Sequence, residues 1–138
     1  MTSVESSMMP KMGVNVMINR LVNETPDYKR PTRFRVSVDT TNCEWTDTEL
    51  TGSVEILGGD FTKQLESITV NETDADVVFE GWLSVTEANG NLLDGFAVVN
   101  EDDPEKLIAK AKVPSRSKTN TELFKYSIKL KIKDKDDI

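Results

Sequence analysis

The side chains with potential chemistry come first. Cys43 is the only thiol in the chain and stands two positions before Trp45. A thiol attacks as the thiolate, which needs a histidine, cation or metal to lower its pKa. The chain contains no histidine. That removes Ser-His and Cys-His triads, histidine zinc sites and the usual general base near neutral pH. Cys43 therefore reads as a loop or core thiol, and a lone cysteine cannot close an internal disulfide.

The carboxylates offer the next candidates. Asp74 and Asp76, Asp94, and Glu101, Asp102 and Asp103 cluster in sequence and carry hard oxygen ligands of the kind calcium takes. The spacing of a calcium loop is absent, and no two acids stand out as a glycosidase pair, so these read as solvated turn residues. Gly58 and Gly59 lack the following helix and the Lys-Ser/Thr of a phosphate loop and read as a turn. Asn23-Glu24-Thr25 and Asn71-Glu72-Thr73 match a glycosylation acceptor pattern, which carries no weight without a secretion signal. No catalytic, metal-ligating or cofactor-binding residue emerges. The expectation is a non-enzymatic protein with no cofactor.

Basic residues are more suggestive. Lys29, Arg30, Arg33 and Arg35 form one patch, and Lys125, Lys129, Lys131 and Lys133 form a second. Tyr28, Phe34, Phe124 and Tyr126 lie close by, as in a groove for single-stranded nucleic acid on a small β-barrel. Phe34, Phe124 and Tyr126, however, alternate with polar residues and fall on the apolar faces of their strands, so core packing is preferred. The net charge of −7 also disfavours nucleic acid and anionic membranes as partners of the whole chain. That total conceals a strong segregation. Residues 1–38 carry +3, residues 39–103 carry −15 with Lys63 the single base, and residues 104–138 carry +5.

The elements that would position these groups are mostly strands. Period-two alternation predicts strands at 14–18, 33–38, 50–56, 64–71, 77–86, 92–100, 107–113 and 124–133. Asn89-Gly90 between two of them predicts a hairpin. The segment 104–112 is open to two readings, because Pro104 after Asp103 also suits a helix start. The fold expected over 14–133 is an all-β, single antiparallel sandwich of about eight strands, immunoglobulin-like or jelly-roll-like, with little or no helix. Residues 1–13 are expected to form a flexible arm, and 134–138 a charged tail. No run of 18 apolar residues exists to span a membrane, and the N-terminus lacks the pattern of a secretory signal.

The stretch LTGSVEILGGDFTKQLESITV (50–70), with Gly52, Val54 and Ile56 alternating before Gly58 and Gly59, resembles a strand pair of the arrestin-like sporulation-control proteins. The resemblance implies an intracellular adaptor that binds other proteins, although the chain has no room for that family's second lobe. The leading expectation is different. Arm, segregated charge and small size together suggest a structural component of a phage or virus particle, such as a capsid cement, decoration or tail subunit, assembled in the host cytoplasm. Its partners would be copies of itself and a larger protein lattice. The predicted contacts are Met8, Met9 and Met12 in the arm, together with the two basic patches facing acidic surface on a neighbour. Charge-driven association of this kind weakens as salt rises.

Overall fold

The computed structural model describes residues 2–4 and 8–134. In chain order the elements are β1 (Thr2–Val4), α1 (Lys11–Val22), β2 (Pro31–Ser37), β3 (Lys63–Gln64), β4 (Ser67–Asn71), β5 (Asp76–Leu83), β6 (Leu92–Asn100), β7 (Leu107–Ser117) and β8 (Phe124–Asp134). They form two antiparallel sheets, ordered β1-β8-β5-β4 and β3-β2-β6-β7. The all-β sandwich expected from the alternation is the fold observed, with one short helix added.

The sheets meet through aromatic side chains. Phe34 of β2 lies 5.4 Å from Phe96 of β6, and Phe96 stacks 5.5 Å from Tyr126 of β8, whose ring meets Phe124 edge-on at 6.1 Å. Such tilted and offset arrangements suit the ring quadrupoles. Gly81 on β5 makes room for them. A Cβ there would stand 2.7 Å from Phe96 and 2.8 Å from Phe34. The central strand β6 is buried from Leu93 to Asn100 because both of its faces are covered. Phe96 and Val98 face the other sheet, while Ala97 and Val99 lie under Leu50, Leu107 and Met12.

Residues 14–18 are not a strand. They belong to α1, which runs from Pro10 at its N-terminal boundary to Asn23. Val14, Val16 and Ile18 fit a period of two, but Met9, Gly13 and Val16, which are buried, fit a helical face. Pro10 stands at the N-cap in extended conformation, immediately before the first helical residue. The helix closes one end of the sandwich, and Gly13 sits so near β7 that a Cβ would stand 2.1 Å from the Ile108 carbonyl oxygen.

Three other expectations need correction. Residues 50–56 form no strand. They belong to a long connection between β2 and β3 that makes only isolated bridges, Ser37 with Ser53 and Leu57 with Asp60. Its alternation serves to place Leu50 on the outer face of one sheet and Ile56 in the main core. The strand pair behind the resemblance over 50–70 is therefore not formed. Asn89-Gly90 makes a turn but no hairpin, since β5 and β6 lie in different sheets. Residues 107–117 are strand, which resolves 104–112 against helix and carries β7 four residues past the predicted end at 113. Of the expected arm and tail, residues 1, 5–7 and 135–138 lie outside the described residues. Thr2–Val4 pairs with the end of β8.

Substituting Gly13→Ala tests the seating of α1. The gain in helix propensity is about 1 kcal/mol, but a Cβ against backbone cannot be relieved by a rotamer change, and overpacking costs ~1–3 kcal/mol. The variant is expected to unfold at lower urea concentration than the parent. An unchanged or raised midpoint would contradict the close approach of α1 and β7.

Candidate interaction surface

Two buried cations organise the surface loops. Lys110 on β7 is 1% exposed, and its ammonium donates to the Thr41 hydroxyl at 3.1 Å and to the Asp47 carboxylate at 2.9 Å. These bonds hold the long β2–β3 connection against the outer face of the sheet, where the Val54 N–H donates to the Val36 carbonyl of β2 and the Val38 N–H to the Gly52 carbonyl. Burial pushes the Asp47 carboxyl up, but the Glu44 N–H and Lys110 outweigh that and hold it below its ordinary value. Cys43 beside them has its thiol pushed up, first by burial and then by Asp47. It is therefore a poor thiolate, as its histidine-free setting implied. Lys118 is the second cation. It donates to the Asn89 side-chain oxygen at 2.8 Å and the Thr119 carbonyl at 2.9 Å, and burial lowers its pKa.

The basic residues singled out by sequence sit among acids of the same chain. Arg33 bonds Thr62 and lies 3.8 Å from Glu101. Arg35 pairs with Glu105 and donates to Ser53 at 3.1 Å. Lys129 lies 3.7 Å from Asp76, and Lys125 stands over the Trp82 ring at 4.4 Å. Lys131 is opposite Asp76 in the β5–β8 register. Lys29 and Arg30 are exposed, and the Lys29 N–H donates to Asp102. The backbone of Lys133 pairs with Ser3; its side chain lies outside the described residues. Met9 is buried in the main core, Met8 packs on that core, and Met12 covers the second cluster. Phe34 and Phe124 are buried, and burial pushes the half-buried Tyr126 phenol up to about 12.

A different surface is left uncovered. The last two turns of α1 expose Met17, Ile18, Leu21 and Val22, with Leu21 81% and Val22 69% accessible. Beside them a groove of about 370 Å³ is floored by Val77, Phe79 and Leu130 and walled by Met17 and Leu21. Past the groove, β4 exposes Ile68 and Val70, the latter 68% accessible. Single exposed apolar residues are ordinary, but a contiguous apolar face usually marks a contact. Sequence reasoning missed it because reading 14–18 as a strand assigned Ile18 to the core and left Leu21 and Val22 unplaced. The helical reading would have shown an apolar stripe too wide for one buried face.

Among the described residues, no group of three or more His, Cys, Asp or Glu side chains is placed to hold a metal ion, and no helix is long and apolar enough to cross a membrane. Comparison with known proteins finds no matching family model, no matching curated protein and no matching solved structure.

The Lys110 clip makes an asymmetric prediction. Asp47→Asn strands a buried ammonium and is expected to cost about 3 kcal/mol, in the range for breaking a buried pair. Lys110→Met removes the charge itself and leaves Asp47 able to reach solvent, so it should cost less in the same urea titration. Equal losses would contradict the assignment of Lys110 as the buried partner.

Acid sensitivity follows from Asp47 and Glu87. For Glu87, burial raises the carboxyl, but hydrogen bonds from Lys63 and Ser84 together with the Lys63 charge bring it below its ordinary value. Both carboxylates bind protons more weakly when folded. Their stabilisation is complete above the unfolded carboxyl pKa and is lost as pH falls through the lower folded values. Urea midpoints should therefore decline as pH drops from about 5 towards 3, and less steeply in Glu87→Gln. An identical decline in the variant would count against the Glu87 contribution.

Proposed function

We propose that this chain is a non-catalytic assembly subunit that associates with copies of itself and docks on a larger protein lattice, as cement, decoration and tail subunits of phage and virus particles do. The observation that carries the reading is the uncovered apolar face of α1 formed by Ile18, Leu21 and Val22. A helix face of this kind pairs readily with its own copy about a two-fold axis, burying the same residues twice. The net charge of −7 keeps separated subunits soluble until that face is covered. The particle setting rests on architecture, a small sandwich of two packed antiparallel sheets with no catalytic constellation in its sequence.

The internal ion pairs change the expected driving force. Arg33, Arg35 and Lys129 each have an acid of their own chain close by. Contact between copies is then chiefly apolar, and salt should leave it intact or strengthen it, the reverse of the charge-driven expectation. Sedimentation of the full chain from micromolar to millimolar concentration, at low and high salt, tests this. The mass should rise with concentration at both salts and remain that of a monomer in a folded Leu21→Glu, Val22→Glu variant. A monomer under every condition, or an association that salt abolishes and the variant does not, would overturn the reading.

A further inference from the structure

Strand β4 is the last strand of its sheet, so on the side away from β5 its backbone N–H and C=O groups meet no strand among the described residues. Natural edge strands are commonly blunted by lysine, proline or a bulge. Ser67–Asn71 contains neither lysine nor proline, and all five residues are exposed. The register sets Ile68 opposite Phe79 and Val70 opposite Val77, which places both on the inward face of the sheet. The opposing sheet ends there in β3, only two residues long, and Ile68 and Val70 stay 41% and 68% exposed. The groove beside α1 opens onto the same face.

Charge narrows what fits. Glu66, Glu72 and Asp74 flank the edge, and Lys63, the single base between 39 and 103, is held by Glu87 at 2.7 Å. A second β4 paired antiparallel about Thr69 would match Ile68 with Val70 but set Glu66 against Glu72 at both ends, and like charges directly opposite are destabilising. The far side of β5 shows what a suitable neighbour looks like. There β8 places Ile128 opposite Phe79 and Leu130 opposite Val77, with Lys129 between them reaching towards Asp76.

We propose that β4 accepts an extended segment of a partner protein as an added strand, one in which branched apolar residues alternate with lysine or arginine. Its apolar residues lie beside Ile68 and Val70 over the groove, and its basic residues meet Glu66, Glu72 and Asp74. Backbone bonds supply affinity and the alternate side chains supply specificity. The inference rests on the assembly reading and names the chemistry of the lattice segment that docks.

The test uses a fluorescent peptide with the sequence of residues 125–133, an extended apolar and basic strand, titrated into the full-length chain at low salt and read by anisotropy. Saturable binding is expected, at least tenfold weaker to a Val70→Lys variant and to a Glu66→Lys, Glu72→Lys variant. A peptide with proline in place of its leucine should bind at least tenfold more weakly, and one with glutamates in place of its lysines should not bind. Absence of saturable binding overturns the proposal. So does equal binding of the proline peptide, which would mean charge alone, or equal binding by Val70→Lys, which would mean another surface. Self-association that Val70→Lys abolishes would put a second copy on this edge and overturn it too. Because the α1 variants report on mass and the β4 variants on peptide affinity, each reading can fail without the other.

Discussion

Phe34 and Phe96 pack against each other over the bare backbone of Gly81, and the spacing and offset of the two sheets follow from that contact. Any larger residue at 81 would push a ring aside, because a Cβ there falls within 3 Å of both. With the rings fixed, β2 and β6 lie over β5 and β8, and Phe124, Tyr126, Ile128 and Leu130 fall into the same layer. The alignment also sets what remains uncovered. Since β2 is followed in its sheet only by the two residues of β3, β4 extends past the opposing layer and carries Ile68 and Val70 with it. One close contact at the centre and one apolar edge at the periphery are thus parts of the same geometry.

Charge is segregated along the chain but mixed in space. The basic ends and the acidic middle meet because antiparallel pairing lays them side by side. Arg33 on β2 reaches Glu101 in the β6–β7 connection and Lys129 on β8 reaches Asp76 on β5, while Arg35 pairs with Glu105, an acid of the otherwise basic C-terminal segment. The exposed pairs among these contribute little to stability. Their effect is to neutralise the patches that linear arithmetic marks as sticky. The buried Lys110–Asp47 pair does something else, fixing a loop that has almost no ladder of its own.

Strands β2, β4, β5, β6, β7 and β8 were legible because each carries the alternation of a half-buried strand or the continuous apolar run of a covered one. Others were hidden for identifiable reasons. Val14, Val16 and Ile18 satisfy the strand period, and it is the packing of Gly13 against Ile108 that seats the segment as a helix. Leu50 and Ile56 alternate correctly, yet each enters a different core from a loop. Asn89-Gly90 forms a turn, but whether a turn closes a hairpin or passes between layers depends on which sheet receives the next strand. Within the candidate surface, Lys29 and Arg30 are exposed, whereas the partners of Arg33, Arg35 and Lys129 are distant in sequence and leave no local trace. The exposed stripe of α1 was unreadable once its helix was taken for a strand.

The central claim is that this chain meets other chains through apolar surface on α1 and β4 and not through its basic rows. Hydrogen–deuterium exchange, compared between dilute protein and protein concentrated until it associates, tests it most directly. Amides in residues 17–22 should gain protection on association while those in 29–35 and 125–131 exchange as before. Protection confined to the two basic segments, with 17–22 unchanged, would contradict the account.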